Sequence, residues 1–470
     1  MLEVGTKSKK RQVVSTVDLD LLLRMNEPIP RYTSYPTAPE WGELSVDRYE
    51  QKLSELSVEN DALSVYIHIP FCSSMCLYCG CSVVLNRRAD KEERYVRYLL
   101  QELELFASRV KGRFRITQLH FGGGTPSKLT EEQLTRIMAK LRSLFDLDTE
   151  GEFSIEIDPR TVYADQGAKL RHLRYLGLNR VSFGVQDTDA QVQEAVKRRQ
   201  SYEMTKATFQ WAKELEFSGI NIDLIYGLPY QTKRSFKKTV EEIADLEPDR
   251  IALYSYAKVP WLKPHQKAIK DSTLPETDEK FQIYQNARKE LVDKGYLALG
   301  MDHFARENDE IAQAYLENKL QRNFQGYSLR LAENMIGFGV TSIGYVKDCY
   351  VQNVKELDDY YASIDRKKLP ASRGLVLSQD DIIRKWVIHR LMCNFSLFKK
   401  DFSDRFQIDF DEYFEKELSN LACFEKEKFL QHDADHIQIT PLGELFIRNI
   451  VCIFDAYYGK AKEKRFSKGV

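Results

Sequence analysis

The sequence predicts an α/β protein built on an incomplete barrel of six βα units, with an N-terminal strap and a mainly helical, winged-helix-like C-terminal domain. Three observations carry this reading. From residue 63 to about 258, short β-rich runs alternate with amphipathic stretches. Six such units in series imply a parallel sheet that curls, because right-handed crossovers place every helix on the same outer side. Polar residues also recur on one parity near the ends of successive strands, the end where barrels of this kind place their active sites.

Taken in order, residues 1–45 form the strap. The run Lys7–Arg11 reads as a solvated basic tail, and "PRYTSYPTA" (30–38) sets Tyr and Thr densely around Pro, which favours an ordered, extended segment. No apolar stretch suits a signal-peptide core or approaches the ~20 residues needed to cross a bilayer, so a cytoplasmic protein with no membrane partner is expected. The barrel and its extension occupy 46–375, with strands expected at 63–71, 115–124, 152–159, 180–187, 220–229 and 250–258. In "FSIEIDP" Ile155 and Ile157 share one face and Glu156 and Asp158 the other; Gln186, Asn221 and Asp223 hold the matching parity in later strands. Any one of these could be a rim residue bonded to a loop, and Glu156 or Asp158 could pair with Arg160. The C-terminal domain, 376–470, opens with Ser378 as a helix cap and Asp381 three residues on, and Thr440-Pro441 starts another helix. Over the whole chain, 69 basic residues against 70 acidic leave no global field for nucleic acid, and the Lys-rich tail after Tyr458 is the only electrostatic support for such a partner.

Four of eight cysteines fall within ten residues in "YIHIPFCSSMCLYCGCSVV" (66–84). In a reducing compartment such clusters bind metal or do redox chemistry. Zinc usually takes two hooks separated by a loop, whereas one dense run directly after a strand suits an iron-sulfur cluster better. Cys349, Cys393, Cys423 and Cys452 have no motif and read as small hydrophobes. The C-x3-C-x2-C spacing of Cys72, Cys76 and Cys79 resembles the radical S-adenosylmethionine (SAM) superfamily, in which three thiolates hold a [4Fe-4S] cluster and leave one iron open to SAM. "FGGGTP" (121–126) strengthens this, since glycines let backbone groups approach a ligand closely.

Over residues 20–470 the chain resembles the oxygen-independent coproporphyrinogen III oxidase (coproporphyrinogen III dehydrogenase) family. The matching stretches are "PRYTSYPTA", "HIPFC…C..CGC", "GGGTP", "SIEIDPR", "GVQD", "NIDLIYGLP", "GMDHFAR", "RNFQGY" and "IRNI". The resemblance implies a radical SAM oxidoreductase with one [4Fe-4S] cluster and two bound SAM molecules. On matching positions, Cys72, Cys76 and Cys79 would ligate the cluster, with Cys81 beside it as a non-ligand catalytic residue. Tyr66, Gly123, Glu156 and Ile343 would bind the first SAM; Tyr78, Gly124, Thr125, Gln186, Arg198, Asp223 and Ala257 the second. Phe324 and Gln325 match an active-site pair, and Tyr78 stands where the family usually has Phe.

The implied reaction, in haem biosynthesis, is oxidative decarboxylation of the ring A and B propionates of coproporphyrinogen III to vinyl groups, giving protoporphyrinogen IX. A reductant such as flavodoxin or ferredoxin, an unidentified electron acceptor and a monomeric state belong to this expectation. The leading rival, a haem chaperone of the same superfamily, lacks the fourth cysteine and the "PRYTSYPTA" segment, both present here. A radical SAM enzyme that opens the porphyrin ring shares the C-terminal half poorly. Arg31, Arg306 and Arg322 are the basic residues within the substrate-side motifs, and the planar fork of Arg suits a propionate.

Overall fold

Six strands follow one another where the alternation placed them: β1 Leu63–Ile69, β2 Arg115–Gly123, β3 Asp146–Ile157, β4 Arg180–Gln186, β5 Gly219–Tyr226 and β6 Arg250–Ser255. The computed structural model describes residues 17–86, 88–324, 326–459 and 466; the basic run at 7–11 and Gln325 lie outside these. Two units emerge, one of Trp41–Asp223 with Arg330–Leu377, the other of Leu224–Leu329 with the described parts of Met1–Glu40 and Ser378–Val470.

In the first unit β1, β2, β3 and β4 pair in parallel, each with its successor in the chain. Helices Ala89–Ala107, Glu131–Leu144 and Ala168–Tyr175 fall between them, as repeated βα units require. Pro70 stops β1 short of the expected residue 71, and Asp158 caps a helix that begins at Pro159, ending β3 at Ile157. The start of β3 was not foreseen. Its first residues, "DLDTE", are polar apart from Leu147 and mostly open to solvent, so they carry no alternation; they pair Arg115–Ile116 before the register shifts. In β4 and in Ile220–Asp223 of β5, fully buried side chains alternate with half-open ones, and the half-open positions are those of Ser182, Gln186, Asn221 and Asp223.

On the other edge of β1, β9 Asn334–Phe338 adds a parallel strand, followed by an antiparallel meander of β10 Ile343–Val346, β11 Cys349–Asn353 and β12 Ala371–Val376. With neighbours on both sides, β1 is buried throughout except at Tyr66. In the second unit, β7 Tyr296–Leu299 pairs antiparallel with β8 His303–Arg306, which pairs antiparallel with β6.

The C-terminal part of the second unit begins with helix Gln379–Asn394, whose Ser378 and Asp381 form the expected reciprocal cap. Further helices and a three-stranded antiparallel sheet, β13 Ser396–Phe398, β14 Leu430–His432 and β15 His436–Ile439, complete it in the order β13-β15-β14. Thr440 caps the following helix at Gly443, as expected. Leu22, Ile29, Tyr32 and Tyr35 of the strap belong to the same core as Leu391, Phe402, Phe414 and Ile450. Burying Leu22 and Ile29 contributes about 1.5–3 kcal/mol each. The described residues of the strap are packed, as the composition of "PRYTSYPTA" predicts, though Leu19–Met25 is helical.

Glu102 anchors helix Ala89–Ala107 to the end of β9, to β11 and to helix Leu357–Asp365. Its carboxylate accepts from Gly339 N–H at 2.7 Å, Asn353 Nδ2 at 2.8 Å and Tyr360 OH at 2.7 Å. Burial outweighs these donors and pushes the carboxyl up to about 7. Because the folded value lies above the unfolded one, the folded state holds the extra proton, and stability falls as pH rises from about 4.5 to about 7. Chemical denaturation at pH 5 and pH 8 should show a loss of about 3 kcal/mol from this group, and Glu102→Gln should remove that slope whatever it does at pH 5. An unchanged slope in the variant contradicts the assignment.

Candidate active site

The cysteine loop leaves the end of β1 and is closed at its base by a two-residue parallel pairing of Phe71–Cys72 with Val84–Leu85. Asn86 N–H donates to Cys72 O at 2.9 Å, Cys79 N–H to Cys76 O at 3.1 Å, and Leu77 N–H to Val196 O at 3.0 Å. All four thiols are unbridged; Cys76 is buried, Cys72 and Cys79 half-buried, Cys81 exposed. Among the described residues no three His, Cys, Asp or Glu side chains close on a single metal ion. Thiolates on separate corners of a cubane each face their own iron and need not converge on one point.

The glycine loop at the end of β2 is bound to the base of the cysteine loop. Gly124 N–H donates to Ile69 O at 2.8 Å and Thr125 N–H to Phe71 O at 3.0 Å, while Thr125 Oγ1 lies 3.3 Å from Cys72 Sγ. A Cβ on Gly124 would stand 2.8 Å from the backbone of Pro70; one on Gly122 would stand 2.8 Å from the Tyr66 ring. Gly123, at φ +118°, has a conformation that side chains rarely adopt.

Around this edge the half-open face of the strands carries a connected polar set. His68 Nε2 faces Ser82 O at 3.1 Å, which can only accept, so Nε2 carries the proton and Nδ1 accepts from Tyr66 OH at 3.1 Å. Glu156 Oε2 accepts from Gly123 N–H at 3.0 Å, and Oε1 lies 3.4 Å from His120 Nε2. Burial works against the charge of Glu156, yet His120 and the Gly123 N–H hold its carboxyl below the ordinary value. Asp223 moves the other way: burial, with Glu156 nearby, pushes it up to about 6 although Asn221 and Ser182 donate to it.

Arg198 is buried, 7% exposed, with Nη1 3.6 Å from Cys76 Sγ and 3.4 Å from Asp158 Oδ2, and Nη2 donating to Gly184 O. Asp158 also takes Arg160 at 2.6 Å; against the cost of burial, these two guanidinium groups hold its carboxyl below the usual range. Asp158, one alternative of the parity reading, is thus an ion-pair residue, while Glu156 is not paired with Arg160. Three buried polar atoms in this neighbourhood have no hydrogen-bond partner among the described residues: Arg198 Nε, Gln186 Oε1 and Asn221 Oδ1. A polar ligand would supply what they lack.

Tyr78 stands half-buried in the charge environment of Cys76 and Arg198. The Ile343 carbonyl packs over Gly337, whose strand partner is Tyr66. Ala257 and Phe324 lie in the second unit. There Ala257 lines a cavity of about 880 Å³ together with Arg31, Ser255, Trp261 and Lys267. Of the three candidate arginines, Arg306 pairs with Glu247 at 3.2 Å, Arg322 is stacked 5.4 Å from the Tyr327 ring, and Arg31 faces the cavity. Sequence reasoning passed over His120 and Ser182. Both share the parity of the polar face in β2 and β4, so extending the parity count to every strand would have found them.

No helix among the described residues is long and apolar enough to cross a membrane. The Radical SAM superfamily model matches residues 66–243 and the HemN C-terminal domain model residues 377–446. The oxygen-independent coproporphyrinogen III oxidase of Synechocystis sp. is 40% identical over 96% of this chain and 97% of its own length. That of Escherichia coli K12 is 41% identical over 96% and 98%. The structure of coproporphyrinogen III oxidase (HemN) from Escherichia coli, described as a radical SAM enzyme, superposes with a TM-score of 0.89 at 40% identity, over 95% of this chain and all of that one. With cysteine loop, glycine edge and both domains matched across nearly its full length, the chain belongs to the oxygen-independent coproporphyrinogen III oxidase family of radical SAM enzymes.

Proposed function

We propose that this chain converts coproporphyrinogen III to protoporphyrinogen IX by oxidative decarboxylation of the ring A and B propionates, with one [4Fe-4S] cluster and SAM. The observation that carries the reading is the joining of the three-thiol loop to the glycine edge by Gly124 and Thr125, next to Glu156. These residues fit the cofactors: three soft thiolate donors in one loop, a backbone cradle that a Cβ would fill, and orphaned polar atoms close by. When bound, cluster and SAM supply a 5'-deoxyadenosyl radical able to take hydrogen from a propionate β-carbon.

In this reading Cys72, Cys76 and Cys79 hold the cluster, and Cys81, the exposed thiol, serves turnover without ligating iron. Tyr66, Gly123, Glu156 and Ile343 hold the first SAM. A carboxylate kept ionised suits a cationic or hydroxyl group, and Glu156 is such a group. Tyr78, Gly124, Thr125, Gln186, Arg198, Asp223 and Ala257 serve a second SAM, the unpartnered atoms of Gln186 and Arg198 being its natural contacts. Phe324 and Gln325 act on the substrate side. The protein works as a cytoplasmic monomer with flavodoxin or ferredoxin as reductant and an acceptor still to be identified. The presence of Cys81 and the ordered "PRYTSYPTA" segment favours the enzyme over a haem chaperone.

The deciding experiment is anaerobic incubation with coproporphyrinogen III, SAM and a reductant. Protoporphyrin after oxidation, with SAM consumed, is expected; haem binding without conversion contradicts the reading. Within the loop, Cys72→Ser, Cys76→Ser or Cys79→Ser should lower bound iron from about four per chain to near zero, with loss of turnover. Cys81→Ser should keep its iron and lose turnover; loss of iron as complete as in the other three overturns the division of roles.

A further inference from the structure

The "IRNI" motif lies on helix Ile447–Val451, and no role proposed so far involves it. Arg448 of this motif points into the strap: Nε donates to Pro30 O at 3.1 Å and Nη2 donates to Ile29 O. Its neighbour Asn449 donates from Nδ2 to Met25 O at 3.0 Å. Three more contacts hold the same short segment. Tyr32 OH donates to Asp455 at 3.0 Å, Ala456 N–H to Tyr35 OH at 3.0 Å, and Tyr458 OH to Pro28 O at 3.4 Å.

Arg448 is costly where it stands. Burial first, and then the like charge of Arg31, lower its pKa to about 10. What it fixes is the backbone of the residues preceding Arg31, whose own Nη2 donates to Ser255 O at 3.0 Å on the wall of the 880 Å³ cavity. Among the described residues Arg31 makes no ion pair, and Lys267 of the same lining makes none either, whereas Lys258 is neutralised by Asp271 at 2.6 Å. A cavity of this volume, walled by an unneutralised guanidinium, Trp261 and Ala257, suits a large apolar ring bearing carboxylates.

We propose that Arg31 holds a carboxylate of the macrocycle that does not react, and that Arg448, with Asn449, is a positioning residue that fixes the strap for it. The inference rests on the function proposed above and names the contact that function needs. The fork of Arg448 meets two successive carbonyls, so its removal loosens Arg31 without taking away a charge the substrate touches.

The test uses the full-length, cluster-loaded protein and coproporphyrin III, the stable oxidised ring, with binding read by fluorescence titration alongside steady-state kinetics on the porphyrinogen. Arg31→Ala and Arg448→Met should each weaken binding about tenfold and raise KM by a similar factor, with kcat within about twofold. Arg31→Lys should recover part of the loss. The double variant should bind no more weakly than Arg31→Ala alone, a non-additivity that a merely structural arginine would not show. Wild-type binding in both single variants, or a double variant that loses the product of the two effects, overturns the proposal. If Arg448→Met does not fold, Asn449→Ala replaces it in the same cycle with the same two outcomes. A wild-type protein that neither binds nor converts the macrocycle rejects the functional reading itself, and with it this contact.

Discussion

No side chain fits between the third glycine of the "GGG" run and the end of β1. The Cβ position at Gly124 stands 2.8 Å from the Pro70 carbonyl, closer than real side-chain carbons come to backbone atoms. That contact lets Gly124 and Thr125 hydrogen-bond to Ile69 and Phe71, which brings the glycine edge against the base of the cysteine loop. It also sets Gly123 N–H on Glu156 and leaves the Tyr66 ring against Gly122. Loops at the ends of different strands are thereby held to hydrogen-bond tolerance by backbone alone, the most rigid support a site can have.

The electrostatics follow from the same arrangement. Two half-enclosed carboxyl groups on one face are pushed apart, Glu156 downward by His120 and a backbone donor, Asp223 up to about 6 by burial and by Glu156. Such divergence gives neighbouring carboxylates different work near neutral pH. Asp158 is set aside by its two arginines, and Arg198 thereby links an acidic strand end to the cysteine loop. Leaving Arg198 Nε, Gln186 Oε1 and Asn221 Oδ1 unsatisfied costs stability, which is the expected mark of a binding surface rather than of a core.

Much of this was legible in the sequence because it rests on local rules. Strand alternation located all six barrel strands, helix capping located Ser378 and Thr440, and parity located the face of Glu156, Gln186 and Asp223. What stayed hidden depends on long-range packing. The polar start of β3 is a strand only because Arg115–Ile116 offers it an edge, and the helix at Leu19–Met25 is held by a core drawn from the far end of the chain. His120 was lost beside a more conspicuous glycine run. Arg448 could not be read at all, since nothing local says that a guanidinium 417 residues from Arg31 would bind the two carbonyls before it.

Residues Leu22 to Tyr35 of the strap and the C-terminal helices share one hydrophobic core. The central claim, that the site takes hydrogen from a propionate side chain, is tested most directly by following that atom. Coproporphyrinogen III deuterated at the β-carbons of its ring A and B propionates is turned over anaerobically with SAM and a reductant, and the 5'-deoxyadenosine is examined by mass spectrometry. The account predicts deuterium in the 5'-deoxyadenosine in step with vinyl formation. Protoporphyrinogen formed alongside unlabelled 5'-deoxyadenosine would contradict it.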